Sequence, residues 1–158
     1  MKYCFSLFTL FIFLIASQSI HAAAGDDFSL DSTNGKISLS QYKDKVVYID
    51  FWASWCTPCR KSFPWMNKMF SKYADQGLEI IAISLDSGKK ATERFLAKNP
   101  AMFTIAYDPD GKVADSYNVQ VMPTSYLIGR DGTLLMTHKG FRTDHEQALE
   151  EEIKKALN

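Results

Sequence analysis

The sequence predicts a single α/β domain in which a mixed β-sheet packs between helices. Three observations carry that prediction. Between residues 46 and 119, apolar runs rich in β-branched and aromatic residues alternate with segments of helical period. The chain then closes with a hairpin signal and one last amphipathic helix. A length of 158 residues suits one domain, and strand–helix alternation is the mark of an α/β architecture.

Taken in order, "FSLDSTNGKISLSQYKDK" (28–45) reads as two short extra strands around an Asn34-Gly35 turn. "VVYIDFWA" (46–53) is almost continuously apolar, as a central buried strand should be. From Thr57 the period changes: Phe63, Met66, Phe70 and Tyr73 mark one helical face that ends near Gly77, with a kink expected at Pro64. "LEIIAISLD" (78–86) is a second buried strand, parallel to the first through a right-handed crossover. A helix over 89–99, stopped by Pro100, and a strand over 102–107 form a central insertion. After the "DPDG" turn, 111–119 is a short helix. Strands 124–129 and 133–140 join through Arg130-Asp131-Gly132. The last helix opens on a capping box, Thr143-x-x-Glu146, and carries Leu149, Ile153, Ala156 and Leu157 on one stripe.

Charge excludes some partners. Lysine plus arginine and aspartate plus glutamate number 18 each, which gives no electrostatic case for nucleic acid. Residues 1–24 have another character: Lys2, an apolar block from Phe5 to Ala16 broken by Ser6 and Thr9, then Ala22-Ala23-Ala24. That is the pattern of a cleaved secretory signal peptide. The block falls short of the ~20 residues a membrane span requires. Cleavage removes Cys4 and leaves residues 25–158 as one domain with only Cys56 and Cys59, in an oxidising compartment.

Those two cysteines sit in "WCTPC", where the first buried strand gives way to a helix. Residues three apart in a first helical turn are close enough for a disulfide. Free N–H groups and the helix dipole stabilise a thiolate at Cys56, expected to be exposed and reactive. Cys59, one turn deeper, is expected to be shielded and to act as the resolving thiol. Pro58 stiffens the loop between them. As a staple the pair would be poor, because so short a loop removes little chain entropy. Structural zinc lacks ligands, since His138 and His145 are not spaced as a finger. Copper(I) carriage by the two thiolates stays open.

"VVYIDFWASWCTPCRKSFP" resembles the active-site segment of thioredoxin, and "VMPTSYLIGRDGTLL" resembles its cis-proline segment. The length, the leader and the insertion at 89–107 resemble the TlpA/ResA branch of exported thiol–disulfide reductases. The resemblance spans about residues 26–157. It implies a thioredoxin-like fold with Cys56 as nucleophile, Cys59 as resolving thiol and Pro123 as the cis-proline facing the sulfurs. Trp55, Thr57 and Pro58 would flank the substrate, and the backbone of Met122 would pair with it as an added strand. No cofactor is implied.

Asp50 lies inside the apolar strand, with apolar neighbours on both sides, so it is expected to be buried with a raised pKa. Thioredoxin has a buried aspartate at the matching position, which implies an acid–base role towards Cys59. Two departures bear on this. ResA types carry a glutamate where this chain has Ser62, and "LEIIAISL" lacks the lysine that thioredoxin tends to place near its aspartate.

The expected function is therefore a periplasmic thiol–disulfide oxidoreductase that reduces protein disulfides, apocytochrome c among the candidate substrates. A reductant in an oxidising compartment needs an electron donor, and the resemblance implies a membrane protein of DsbD or CcdA type. A monomer is expected. The alternatives are a copper(I) chaperone using the same thiolates and a peroxiredoxin-like peroxidase. The latter lacks the proline expected upstream of a peroxidatic cysteine.

Overall fold

A computed structural model describes residues 26–158; the expected signal peptide and Cys4 lie outside the described residues. β3 (Val46–Trp52) is buried at every position and is an interior strand of a seven-stranded sheet. Its parallel neighbour is β4 (Leu78–Ser84), which pairs in parallel with β5 (Thr104–Tyr107). On its other side β6 (Thr124–Ile128) runs antiparallel, and β7 (Leu134–Lys139) completes the hairpin. The extra strands β1 (Ser29–Ser32) and β2 (Gly35–Ser38) add to the β5 edge, again antiparallel. The sheet is thus mixed, as the sequence predicts, in the order β2-β1-β5-β4-β3-β6-β7.

Side chains alternate across β3 and divide the core in two. Tyr48, Trp52 and Ile80 face α1 (Thr57–Tyr73), α2 (Lys89–Leu96) and α4 (Glu146–Leu157), where Met66, Phe95, Leu149 and Ile153 meet them. Ile49, Phe51 and Ile83 face the opposite cluster, which includes Ala114 of α3 (Lys112–Ser116), Tyr117 and Tyr126. Each fully buried large apolar side chain contributes roughly 1.5–3 kcal/mol. β3 and β4 hold eight of the largest, four on each strand, so they form a firm platform for whatever stands at the C-terminal end of β3.

Gly77, after α1, has φ +97, and a Cβ there would come within 2.9 Å of the Arg130 guanidinium. That guanidinium donates to the Asp44 and Gln76 carbonyls, fastening the turn before β3 to the turn before β4. Glycine is needed there for conformation and for space together.

The elements differ from the sequence reading mainly at their ends. α2 stops at Leu96, α3 covers only five residues and β5 begins at Thr104. α1 runs unbroken through Pro64, which lies on its exposed face where water can satisfy the carbonyl left without a donor. The capping box at Thr143 does not form. Residues Thr143–His145 are a 3-10 turn with no side-chain cap, and Asp144 is taken by Arg142 through bonds of 3.0 and 2.7 Å. Thr143 is inside a turn, where its side chain cannot stand in front of the helix.

Candidate active site

The chain leaves β3 at Trp52, turns through Ala53, Ser54 and Trp55, and enters α1 at Thr57. Cys56 is the N-cap residue, and its sulfur accepts a hydrogen bond from the Cys59 N–H at 3.3 Å. Its own N–H donates to Ala53 at 3.1 Å, and Arg60 N–H donates to its carbonyl at 3.1 Å. Cys56 and Cys59 form a disulfide, with Cα atoms 5.3 Å apart. The first turn of α1 holds no acidic residue, so nothing there opposes the dipole that stabilises an anionic sulfur. Pro58 sits in that first turn, where a missing N–H costs nothing.

Burial separates the two sulfurs less than the sequence reading expects. Cys59 is fully buried, as expected, but Cys56 is itself only 6% exposed. The exposed residue is Trp55, at 69%. Cys56 is approached through a cleft of about 570 Å³ lined by Trp55, Thr57, Pro58, Leu85 and the segment 119–122. The Met122–Pro123 peptide bond at its far wall is cis. Pro123 offers its carbonyl to Gly140 N–H at 2.7 Å, and Thr124 Oγ1 donates to Val121 at 2.7 Å. Among the described residues, no backbone hydrogen bond engages Met122. A second cavity, of about 430 Å³ beside Tyr42 and Arg130, contains no thiol.

Asp50 stands on the α1 side of the sheet, by alternation with Tyr48 and Trp52. It is 1% exposed. Its register partners are Ala82 and Ser125, and Ser125 Oγ donates to Oδ1 at 2.7 Å. Among the described residues Oδ2 has no partner. Burial pushes its pKa up to about 7, and the Ser125 hydroxyl offsets part of that rise. β4 supplies no cation, since the residue beside Asp50 is alanine. Ser62 is buried and donates its hydroxyl to the Cys59 carbonyl at 2.8 Å.

Two residues escaped the sequence reading. Ser125 stands two residues after Pro123, but only the β3–β6 register reveals that it meets Asp50. Asp86 ends the second buried strand's apolar run and binds the loop before Cys56. Its Oδ1 accepts from Ser54 N–H at 3.1 Å and Ser54 Oγ at 3.0 Å. Its Oδ2 accepts from Thr92 Oγ1 at 2.8 Å and Ser84 Oγ at 3.3 Å. An aspartate at the C-terminal end of a central strand is the signal that could have found it.

The arrangement suits thiol–disulfide exchange: a cap-position sulfur at the edge of a cleft, a buried second sulfur bonded to it, and a buried carboxyl on the neighbouring strand. Known proteins agree. The AhpC/TSA family matches residues 22–136. The thiol–disulfide oxidoreductase ResA of Bacillus thuringiensis subsp. konkukian is 38% identical over 125 residues, covering 79% of this chain and 71% of its own. ResA of Geobacillus kaustophilus is 31% identical over 148 residues, covering 92% and 85%. Among solved structures, a Chlorobium tepidum protein assigned as thiol:disulfide interchange protein DsbE superimposes with a TM-score of 0.85. It is 46% identical and covers 87% of this chain and 98% of its own.

Proposed function

Because the chain belongs to the AhpC/TSA family and is a thioredoxin-like thiol–disulfide oxidoreductase, we propose that it works as an exported, periplasmic reductase of protein disulfides. The observation that carries this reading is Cys56 at the N-cap of α1, its sulfur held by the Cys59 N–H at the mouth of an apolar-walled cleft. In the reduced protein that position favours a thiolate. The Cys56 thiolate attacks one sulfur of a substrate disulfide, and the other substrate sulfur leaves as a thiolate. Asp50, as carboxylate, takes the proton from the Cys59 thiol. The Cys59 thiolate then attacks Cys56, closing the protein's disulfide and releasing the second substrate sulfur. Two electrons have moved from the protein to the substrate, and the Asp50 proton goes to a leaving thiolate.

Trp55, Thr57 and Pro58 form the rim over which the substrate chain lies, and Met122, before Pro123, offers its backbone to that chain. The protein then needs re-reduction, which fits a dithiol donor in the membrane of DsbD or CcdA type. Apocytochrome c is one candidate disulfide substrate, on the resemblance to the TlpA/ResA branch. Residues 1–24, read as a signal peptide, support export, and the active unit is a monomer.

The test is the reduction potential together with insulin reduction. A potential near the thioredoxin value of about −270 mV, with catalytic turnover of insulin, is expected. A potential near about −120 mV would mark an oxidant instead. Tight Cu(I) binding without turnover would favour a copper carrier, and peroxide consumption without insulin reduction would favour a peroxidase. Cys59→Ala is expected to halt the reaction at the mixed disulfide, recoverable as a covalent adduct by non-reducing electrophoresis.

A further inference from the structure

Two histidines meet where β7 approaches the start of α4. His138 lies on β7, and His145 ends the 3-10 turn before the helix. His145 Nδ1 and His138 Nε2 are 3.4 Å apart, and the two rings stand at 84° with centroids 5.2 Å apart. We propose that these two nitrogens form a binding site for a divalent transition metal, Cu²⁺ or Zn²⁺, separate from the dithiol.

The spacing is that of two ligands on one ion. Nitrogen–metal bonds of about 2.0–2.1 Å drawn from donors 3.4 Å apart meet at about 110°, close to the tetrahedral angle. Apart from their mutual contact, no hydrogen bond ties the donor nitrogens to a carboxylate or carbonyl among the described residues. Both can therefore turn a lone pair to a cation at the loss of one N–H···N bond. Burial and the neighbouring His145 lower the His138 pKa, which favours the neutral ring that metals require.

Among the described residues no three His, Cys, Asp or Glu side chains converge into a metal group, so the rest of the coordination falls to other donors. Met136 and Glu152 line the same cavity of about 230 Å³; the Glu152 carboxylate is engaged by Lys155 at 2.7 Å, while the Met136 thioether is a soft donor. Water takes the positions that remain. Two imidazoles and a thioether favour copper over zinc and reject hard, oxygen-seeking Mg²⁺. His138 stands on the sheet edge and His145 at the head of α4, so a bound ion would clip the C-terminal helix to the sheet. That linkage raises thermal stability with metal concentration.

The experiment is calorimetric titration and thermal melting of the untagged, oxidised protein with Zn²⁺, Cu²⁺ and Mg²⁺. The disulfide keeps both thiols out of competition. One equivalent of Cu²⁺ is expected to bind more tightly than Zn²⁺, Mg²⁺ should not bind, and Tm should rise with added Zn²⁺. His138→Gln and His145→Gln, which keep bulk at half-exposed positions, should each weaken Zn²⁺ binding by ~10-fold or more. The double variant Cys56→Ser with Cys59→Ser, which has neither of these thiols, should leave it unchanged. In the wild-type protein, Zn²⁺ should shift the ring-proton NMR resonances of both histidines. Unchanged affinity in both histidine variants, Zn²⁺ binding no tighter than Mg²⁺, or unmoved histidine resonances would each overturn the proposal and leave a hydrogen-bonded pair.

Discussion

Asp50 and Asp86 are both buried aspartates beside the dithiol segment, and the protein treats them in opposite ways. Asp86 is surrounded by donors: one backbone N–H and three hydroxyls reach its two oxygens. Asp50 has a single donor, Ser125, and its second oxygen is bare among the described residues. A fully bonded carboxylate is a fastening, because moving a proton onto it would break bonds that hold the Ser54 loop. An under-bonded carboxyl in the same burial has little to lose on protonation, so it can exchange a proton near neutral pH. On the proposed mechanism, the number of donors, not the depth, separates a positioning acid from a reactive one.

Asp50→Asn puts the greatest strain on this contrast. Without an exchangeable proton, resolution of the mixed disulfide is expected to slow by about 10²-fold, read as the rate of Cys59 attack on a trapped adduct. Stability should move the other way. The native Asp50 pKa of about 7 lies above its ordinary value of 3.8, so between those pH values the folded chain holds a proton that the unfolded chain has released. Wild-type stability from this group therefore falls as pH rises through that window. By pH 8 the loss amounts to as much as about 4 kcal/mol. Urea unfolding of the asparagine variant should lack that slope and show a higher midpoint at pH 8. A variant less stable than wild type at pH 8 would make Asp50 a fastening like Asp86.

Asp86→Ala should do the reverse. It strands the Ser54 N–H and leaves the Ser54 hydroxyl, and one hydroxyl of the Ser84–Thr92 pair, short of an acceptor. A loss of about 2–3 kcal/mol is expected, seen as a lower urea midpoint at unchanged slope. Asp86→Asn, which keeps one acceptor oxygen, should lose less. If the alanine variant were as stable as wild type, the clamp would not be holding the loop.

Ser125→Ala is the finest probe. It removes the one donor to Asp50 at a cost of about 1 kcal/mol above pH 7. With the offsetting hydroxyl gone, the Asp50 pKa should rise further, carrying the midpoint of the pH–rate profile for resolution upward. A midpoint that stays in place would mean that another group titrates in that step.

The site was legible in the sequence wherever its chemistry is local. The Cys56–Cys59 spacing, the helix that begins between them and Pro123 before an apolar strand all lie within a few residues of their signals. Asp50 was legible too, because an acid with apolar neighbours on both sides has no solvent-facing place on a central strand. Ser125 and the His138–His145 contact were not legible, since the residues concerned have no periodic relation to their partners. The capping box failed for a related reason: the motif assumes that Thr143 precedes the helix, and the Arg142–Asp144 pair accompanies a turn that begins one residue too early. Cys56 was expected to be open, but in the disulfide form the surrounding fold covers it and leaves Trp55 exposed instead.

By itself, the sequence determined the strand–helix order, the redox pair and the presence of a buried acid. Each follows from hydrophobic period, cap preference or covalent chemistry, which act over a turn or two of chain. Only the tertiary structure decided how many donors each buried carboxyl receives. Those donors come from strands and helices brought into register by the packing of the whole sheet. Pairing Asp50 with Ser125 across β3 and β6 joins residues 75 positions apart, and no local pattern encodes that distance.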